Sequence, residues 1–258
     1  MSANANLIGL GTITRREVVR ILRIWSQTLL PSAITMTLYF VIFGRMVGSR
    51  IGEIADGIQY IDYIVPGLIM MAVITNSYGN ISSSFFGSKF GRYVEEMLAS
   101  PMPSWVILAG YVAGAVLRGL IVALIVLAIS LFFTRIHLYH PWITLSTVLL
   151  TAIVFSLAGF VNAVYAKKFD DIAIVPTFVL TPLTYLGGVF YSVEMLPQPW
   201  HALSHANPIL YMVNAFRYGL LGVTDVNLWA AYGVMVLSAA ALGAVGMMLL
   251  KRGVGLRN

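Results

Sequence analysis

The sequence predicts an all-α integral membrane protein with six transmembrane helices. Three observations carry that expectation. Hydrophobic residues make up 59% of the chain and charged residues 10%, far from the roughly 45–50% and about 25% of soluble domains. Apolar runs of about 18 residues or more, each long enough to cross a hydrocarbon core, recur through all 258 residues. The acidic residues all fall between those runs. Residues 1–258 therefore read as one membrane domain, with no stretch left for a soluble domain of ordinary size. The absence of cysteine excludes disulfides, thiol catalysis and cysteine-ligated metal sites. The net charge of +6 comes from bases scattered between the spans, which assigns it to topology and not to nucleic acid.

Residues 1–13 are small and polar, and Thr14-Arg15-Arg16-Glu17 places a hydroxyl three residues before a carboxylate, the capping-box spacing that starts a helix. Val18, Ile21, Leu22 and Trp25 then share one face and Arg16, Arg20 and Arg23 the other, as in a helix lying in the membrane interface over residues 14–26. A solvated extension of the first span is the plainer alternative. A cleaved signal peptide is disfavoured, because no small-x-small site follows and further spans do. The spans are expected at about 29–47, 63–86, 104–133, 142–166, 172–191 and 228–250. The third is long enough to tilt or protrude, and Pro176 and Pro182 predict a kink in the fifth. Arg15, Arg16, Arg20, Arg23, Lys89, Arg92, Lys167, Lys168, Lys251, Arg252 and Arg257 fall on one side, and Arg45, Arg50, Arg135 and Arg217 on the other. The positive-inside rule makes the richer side, with both termini, cytoplasmic.

Glu17, Glu53, Asp56, Asp62, Glu95, Glu96, Asp170, Asp171, Glu194 and Asp225 lie outside the expected spans, and His137, His140, His201 and His205 lie in outer segments. No carboxylate or imidazole is left at mid-membrane to relay a proton, which disfavours a proton-driven carrier. Nothing points to sodium coupling, and no ring of charge marks a passive channel. There is no GxxxxGK[ST], GxSxG or HExxH pattern, so no catalytic residue is assigned and the chain is not read as an enzyme. His201 and His205 have the i, i+4 spacing of metal ligands, with Glu194 upstream. Beside Pro199 and Trp200 they read better as two interfacial histidines, and no metal site is expected. Arg118 is the one charge deep in an apolar run. It is a functional candidate by default, against a structural arginine bonded to neighbouring carbonyls. Gly110 and Gly114 before it form a GxxxG pair, which permits close helix approach. Asn76, Tyr78 and Asn80 in the second span and Thr181, Thr184 and Tyr185 in the fifth offer a mildly polar substrate path.

Between the second and third runs stands GSKFGRYVEEMLASPMP, residues 87–103. Phe90, Val94, Met97 and Leu98 recur at i, i+4, i+7 and i+8, with Lys89, Arg92, Glu95 and Glu96 on the remaining faces, and Pro101 and Pro103 end the pattern. The expectation is a helix over 88–99 across the cytoplasmic ends of spans two and three, its apolar ridge suited to a protein groove. The plainer alternative is an interfacial helix that merely shapes the turn.

Leu180, Leu183, Leu186, Gly187 and Val189, then Pro197, then Pro208, Tyr211 and Arg217 resemble the signature of ABC-2 type transporter permeases in residue type and spacing. IVPGLIMMAVITNSYGN in span two and PTFVLTPLTYLGGVFYS in span five agree with it. The resemblance covers nearly the whole chain and looks strongest for bacterial inner-membrane permeases whose ATPase is a separate polypeptide. It implies that two copies form the membrane pathway and that each docks one cytoplasmic ATPase subunit. The docking element would be a coupling helix made of Lys89, Phe90, Arg92, Tyr93, Val94, Glu95, Glu96, Met97 and Leu98. It also implies that residues about 192–217 re-enter from the outer side as short helices, and that ATP and magnesium are bound by the partner, with no cofactor in this chain. The expected function is export of an amphipathic, lipid-linked or drug-like molecule, with membrane lipids as surroundings. The alternative is a membrane scaffold or assembly component that uses the same fold mechanically.

Overall fold

The structure is a computed structural model in which residues 3–55, 57–135 and 138–255 are described. Asp56, His137 and Arg257 of the sequence reading lie outside the described residues. Six helices are long and apolar enough to cross a membrane: Trp25–Ile51, Tyr60–Phe90, Ser104–Ser130, Pro141–Tyr165, Phe169–Leu186 and Leu228–Arg252. Their number and order are those expected. Asp62, expected in a loop, sits in the first turn of the second span and accepts the hydroxyl of Thr134.

The second span is the hub. Of its apolar window 83% is buried, against 17% for the first span and 11% for the fifth. It packs on spans three and four through Leu68, Val73, Tyr78, Ile81 and Phe85, all nearly inaccessible. The fifth span is irregular where proline interrupts it: a helix over Phe169–Val175, a π-helical turn over Pro176–Leu180 and a helix over Thr181–Leu186. It ends five residues before the expected 191, because Gly188 takes a φ of +70° and turns the chain back.

The N-terminal helix differs from expectation. It runs Ala3–Arg23, so the Thr14–Glu17 pattern lies inside it and caps nothing. The buried face is also different. Ile13, Glu17 and Ile21 are inaccessible, whereas Leu22 and Trp25 are 57% and 55% exposed. The reason is the GxxxG pair of span three. A methyl on Gly110 would lie 2.7 Å from Ile13, and one on Gly114 would collide with the Glu17 side chain. The two glycines form the seat of this helix, and the carboxylate that would have capped it is turned inward.

Candidate docking surface and polar core

The segment expected as one helix over 88–99 is broken. Span two continues to Phe90, Gly91 and Arg92 turn, and a separate helix runs Tyr93–Ala99. Arg92 sits at φ 61°, a left-handed conformation that ends the first helix and re-aims the second. The break resets the phase of the pattern. Val94 is 1% exposed and packs with Phe85, Phe86 and Tyr111, and Met97 and Leu98 pack on the same cluster. Three of the four ridge residues, Val94, Met97 and Leu98, therefore face the chain's own core, and the outward face is Phe90, Arg92, Tyr93, Glu95 and Glu96. Phe90 and Tyr93 are 67% and 59% exposed. Phe169, at the start of span five, joins them, its ring 5.2 Å from that of Phe90 and 4.9 Å edge-on from that of Phe86. Lys89 is withdrawn from this surface: Nζ donates to the carbonyls of Val164 and Ala166 at 2.6 and 2.8 Å, which satisfies the end of span four. Phe169 was missed from sequence because nothing local ties it to residue 90.

Behind this surface a polar ladder climbs into the bundle. Asn76, Asn80, Ser84 and Ser88 recur every four residues along span two, on one helix face. Ser88 accepts the Tyr111 hydroxyl at 2.9 Å. Ser84 donates to Glu17 at 2.6 Å, and Glu17 also receives Arg20 Nη2 at 3.0 Å and Arg16 Nη2 at 3.4 Å. The Arg16 guanidinium lies 5.0 Å from the Tyr111 ring centre. Burial works against its charge, but Tyr111 and Glu17 outweigh it and hold the pKa above the ordinary value. Arg20 Nη2 reaches Asn80 Oδ1 at 2.8 Å. Arg118 donates to the same oxygen at 3.5 Å, to Asn76 Oδ1 at 3.0 Å and to the Thr28 carbonyl at 3.0 Å, and Asn76 Nδ2 donates to Ser32 at 2.9 Å. Arg118 thus ties span three to spans one and two.

The residues expected to line a path divide accordingly. Asn76 and Asn80 are engaged in the ladder, and Tyr78 is buried on the opposite side against span four. Thr184 is also buried and bonds back to Leu180, while Thr181 and Tyr185 are exposed. The open face of span two is instead Thr75, Gly79 and Ser83, spaced by four, with free space beside Gly79. The rings of His201 and His205 stand 4.6 Å apart, and no group of three metal-binding side chains exists among the described residues.

Residues 9–221 match the model of the family described as ABC-2 type transporter. The chain belongs to that family. It is 56% identical over 252 residues, 97% of this chain and 98% of the relative, to "Inner membrane transport permease YadH" of Escherichia coli (strain K12). It is 23% identical over 216 residues, 83% of each chain, to "Nodulation protein J" of Rhizobium leguminosarum bv. viciae. A second "Nodulation protein J", of Rhizobium meliloti (strain 1021), is 21% identical over 247 residues, 93% of this chain and 92% of the relative. The chain is therefore a multi-pass ABC-2 permease, of a family whose members are transmembrane subunits working with a cytoplasmic ATPase partner.

In this permease six of the residues that carried the resemblance, Gly187, Val189, Pro197, Pro208, Tyr211 and Arg217, lie between spans five and six. Arg217, assigned above to the outer side, is fully buried. Its guanidinium lies 3.9 Å from the Tyr63 ring centre, Nη2 donates to Gly188 O at 2.5 Å, and Nη1 donates to Asn214 at 3.2 Å. Tyr211 donates to His205 O at 3.0 Å, and Gly187 makes room for Ile209. Pro208 occupies the first turn of the helix Pro208–Leu221, where no intrahelical donor is lost. The Pro66-Gly67 pair of span two has its counterpart here, since a methyl on Gly67 would collide with the Val189 carbonyl.

Proposed function

We propose that two copies of this permease form the pathway for export of an amphipathic, lipid-linked or drug-like molecule, driven by two separate ATPase subunits that bind ATP and magnesium. The site is the bacterial inner membrane, with both termini cytoplasmic and residues about 192–217 re-entrant from the outer side. The observation that carries this reading is the exposed aromatic surface of Phe90, Tyr93 and Phe169, ringed by Arg92, Glu95 and Glu96. Bulky aromatics with charges at the rim are the composition of a protein interface centre. The thin cover of spans one and five supports a second copy, and Thr75 and Ser83 with Thr181 and Tyr185 offer its hydroxyl-lined path. The test is co-purification with an ATPase and ATP-dependent flux in reconstituted vesicles. A docked, hydrolysing complex that moves no substrate would give the scaffold alternative the better claim.

A further inference from the structure

Beside the ladder, the N-terminal helix and the nearby end of span two line an open cavity of about 730 Å³. Arg15, Arg16, Arg20 and Arg23 line it, with Ser83, Ser84 and Ser88 on the facing wall and Tyr93 at its edge. Four guanidinium groups face a single carboxylate, and that carboxylate is spoken for. Glu17 is 1% exposed and already receives Arg16, Arg20 and Ser84. Arg15 and Arg23 are exposed and have no carboxylate partner among the described residues. So large an excess of positive charge beside apolar spans calls for an anion, and planar guanidinium forks carried on one helix suit the oxygens of a phosphate. The walls also indicate what the phosphate is attached to. Val19 and Ile24 line the cavity, and Leu22 near the end of the N-terminal helix and Trp25 at the start of span one are exposed, apolar surface for an acyl or prenyl chain.

We infer that this cavity binds the phosphate headgroup of an anionic amphiphile, at the end of the bundle that carries the Tyr93–Ala99 helix. The inference rests on the permease reading and deepens it, by naming the chemistry presented at the mouth of the pathway. Two sources share that chemistry: a resident membrane phospholipid, and a phosphate-bearing cargo molecule.

The test is direct binding to the purified permease in detergent, without its ATPase, using short-chain phosphatidic acid as probe and phosphatidylcholine of equal chain length as control, read by native mass spectrometry. Phosphatidic acid should bind at least about tenfold more tightly than the control, and Arg15→Gln with Arg23→Gln should remove that preference. Neither residue holds a hydrogen-bond or ion-pair partner among the described residues, so the double variant should elute and melt as the wild type does; Arg50→Gln, at the other end, should bind normally. Equal affinity for the two lipids, or an unchanged preference in the double variant, would overturn the inference. Reconstitution in vesicles containing labelled phosphatidic acid separates the sources, since ATP should move a cargo between leaflets and leave a resident lipid where it is. Because binding is read without ATP, selective binding with no movement of the probe assigns the site to a resident lipid and leaves the permease reading to its own flux test, and flux with no selective binding counts against this site alone.

Discussion

Arg20 and Arg118, from the N-terminal helix and from span three, converge on one oxygen, Asn80 Oδ1, at 2.8 and 3.5 Å. Two like charges share an acceptor because each has a stronger partner elsewhere, Glu17 for Arg20 and Asn76 with the Thr28 carbonyl for Arg118. The ladder thereby fastens three helices to span two without a carboxylate at mid-membrane.

Arg118→Leu should lower thermal stability before it affects transport. It leaves the Asn76 oxygen and the Thr28 carbonyl without this donor, at about 1–3 kcal/mol for each acceptor left unpaired. Arg118→Lys should recover part of the loss, since a single ammonium cannot span the same acceptors. Melting in detergent, followed by gel filtration, reads the difference; a Leu variant as stable as the wild type would remove Arg118 from the scaffold.

Glu17→Gln keeps the shape at the helix seat but removes the charge that Arg16 and Arg20 face. The cost should fall below the roughly 3–5 kcal/mol of breaking a fully buried pair, because both arginines are partly solvated. The N-terminal helix should loosen while the six spans persist. Faster proteolysis within residues 3–23, with the remainder of the chain protected, is the expected outcome.

Gly67→Ala and Gly79→Ala should separate sharply. At Gly67 the new methyl meets the Val189 backbone, which cannot rotate away, and overpacking of this kind costs about 1–3 kcal/mol. Gly79 has open space, so alanine there should leave the melting temperature within error or raise it slightly. Parallel melts of the two variants check this.

Phe90→Ala, Tyr93→Ala and Phe169→Ala should each weaken ATPase recovery, since covering one such ring is worth about 1.5–3 kcal/mol. Glu96→Ala should matter less, at roughly 0–1 kcal/mol for a rim charge. Val94→Ala should destabilise the permease itself, because its side chain is in the core. Pull-down and melting measured on the same preparations distinguish the two effects; recovery unchanged in all three aromatic variants would move docking elsewhere.

Phe178 on the fifth span is 73% exposed, and the native chain has no cysteine to interfere with a probe. Phe178→Cys should therefore give a disulfide-linked dimer under mild oxidation in membranes, and Trp229→Cys on the sixth span should not. Dimer formation at Trp229 alone would place the shared face on the sixth span.

The sequence by itself determined the six spans, the interruption of the fifth at Pro176, the lack of any catalytic pattern and the family signature. Each of these is a property of a segment: an apolar length, a missing N–H, a fixed spacing. It also located the charged helix after span two, but not its orientation, because a ridge at Phe90, Val94, Met97 and Leu98 is one face only if the helix is continuous. The left-handed turn at Arg92 broke the phase and sent Val94 inward. Arg118, Glu17 and the Gly110–Gly114 pair were all visible as single signals, yet their meaning came from partners on other helices. Periodicity reports which residues share a face. Which neighbour covers that face is fixed only when the helices pack, and here packing turned a capping carboxylate into the counter-ion of two arginines and drew Asn76, Asn80 and Arg118 into a structural ladder.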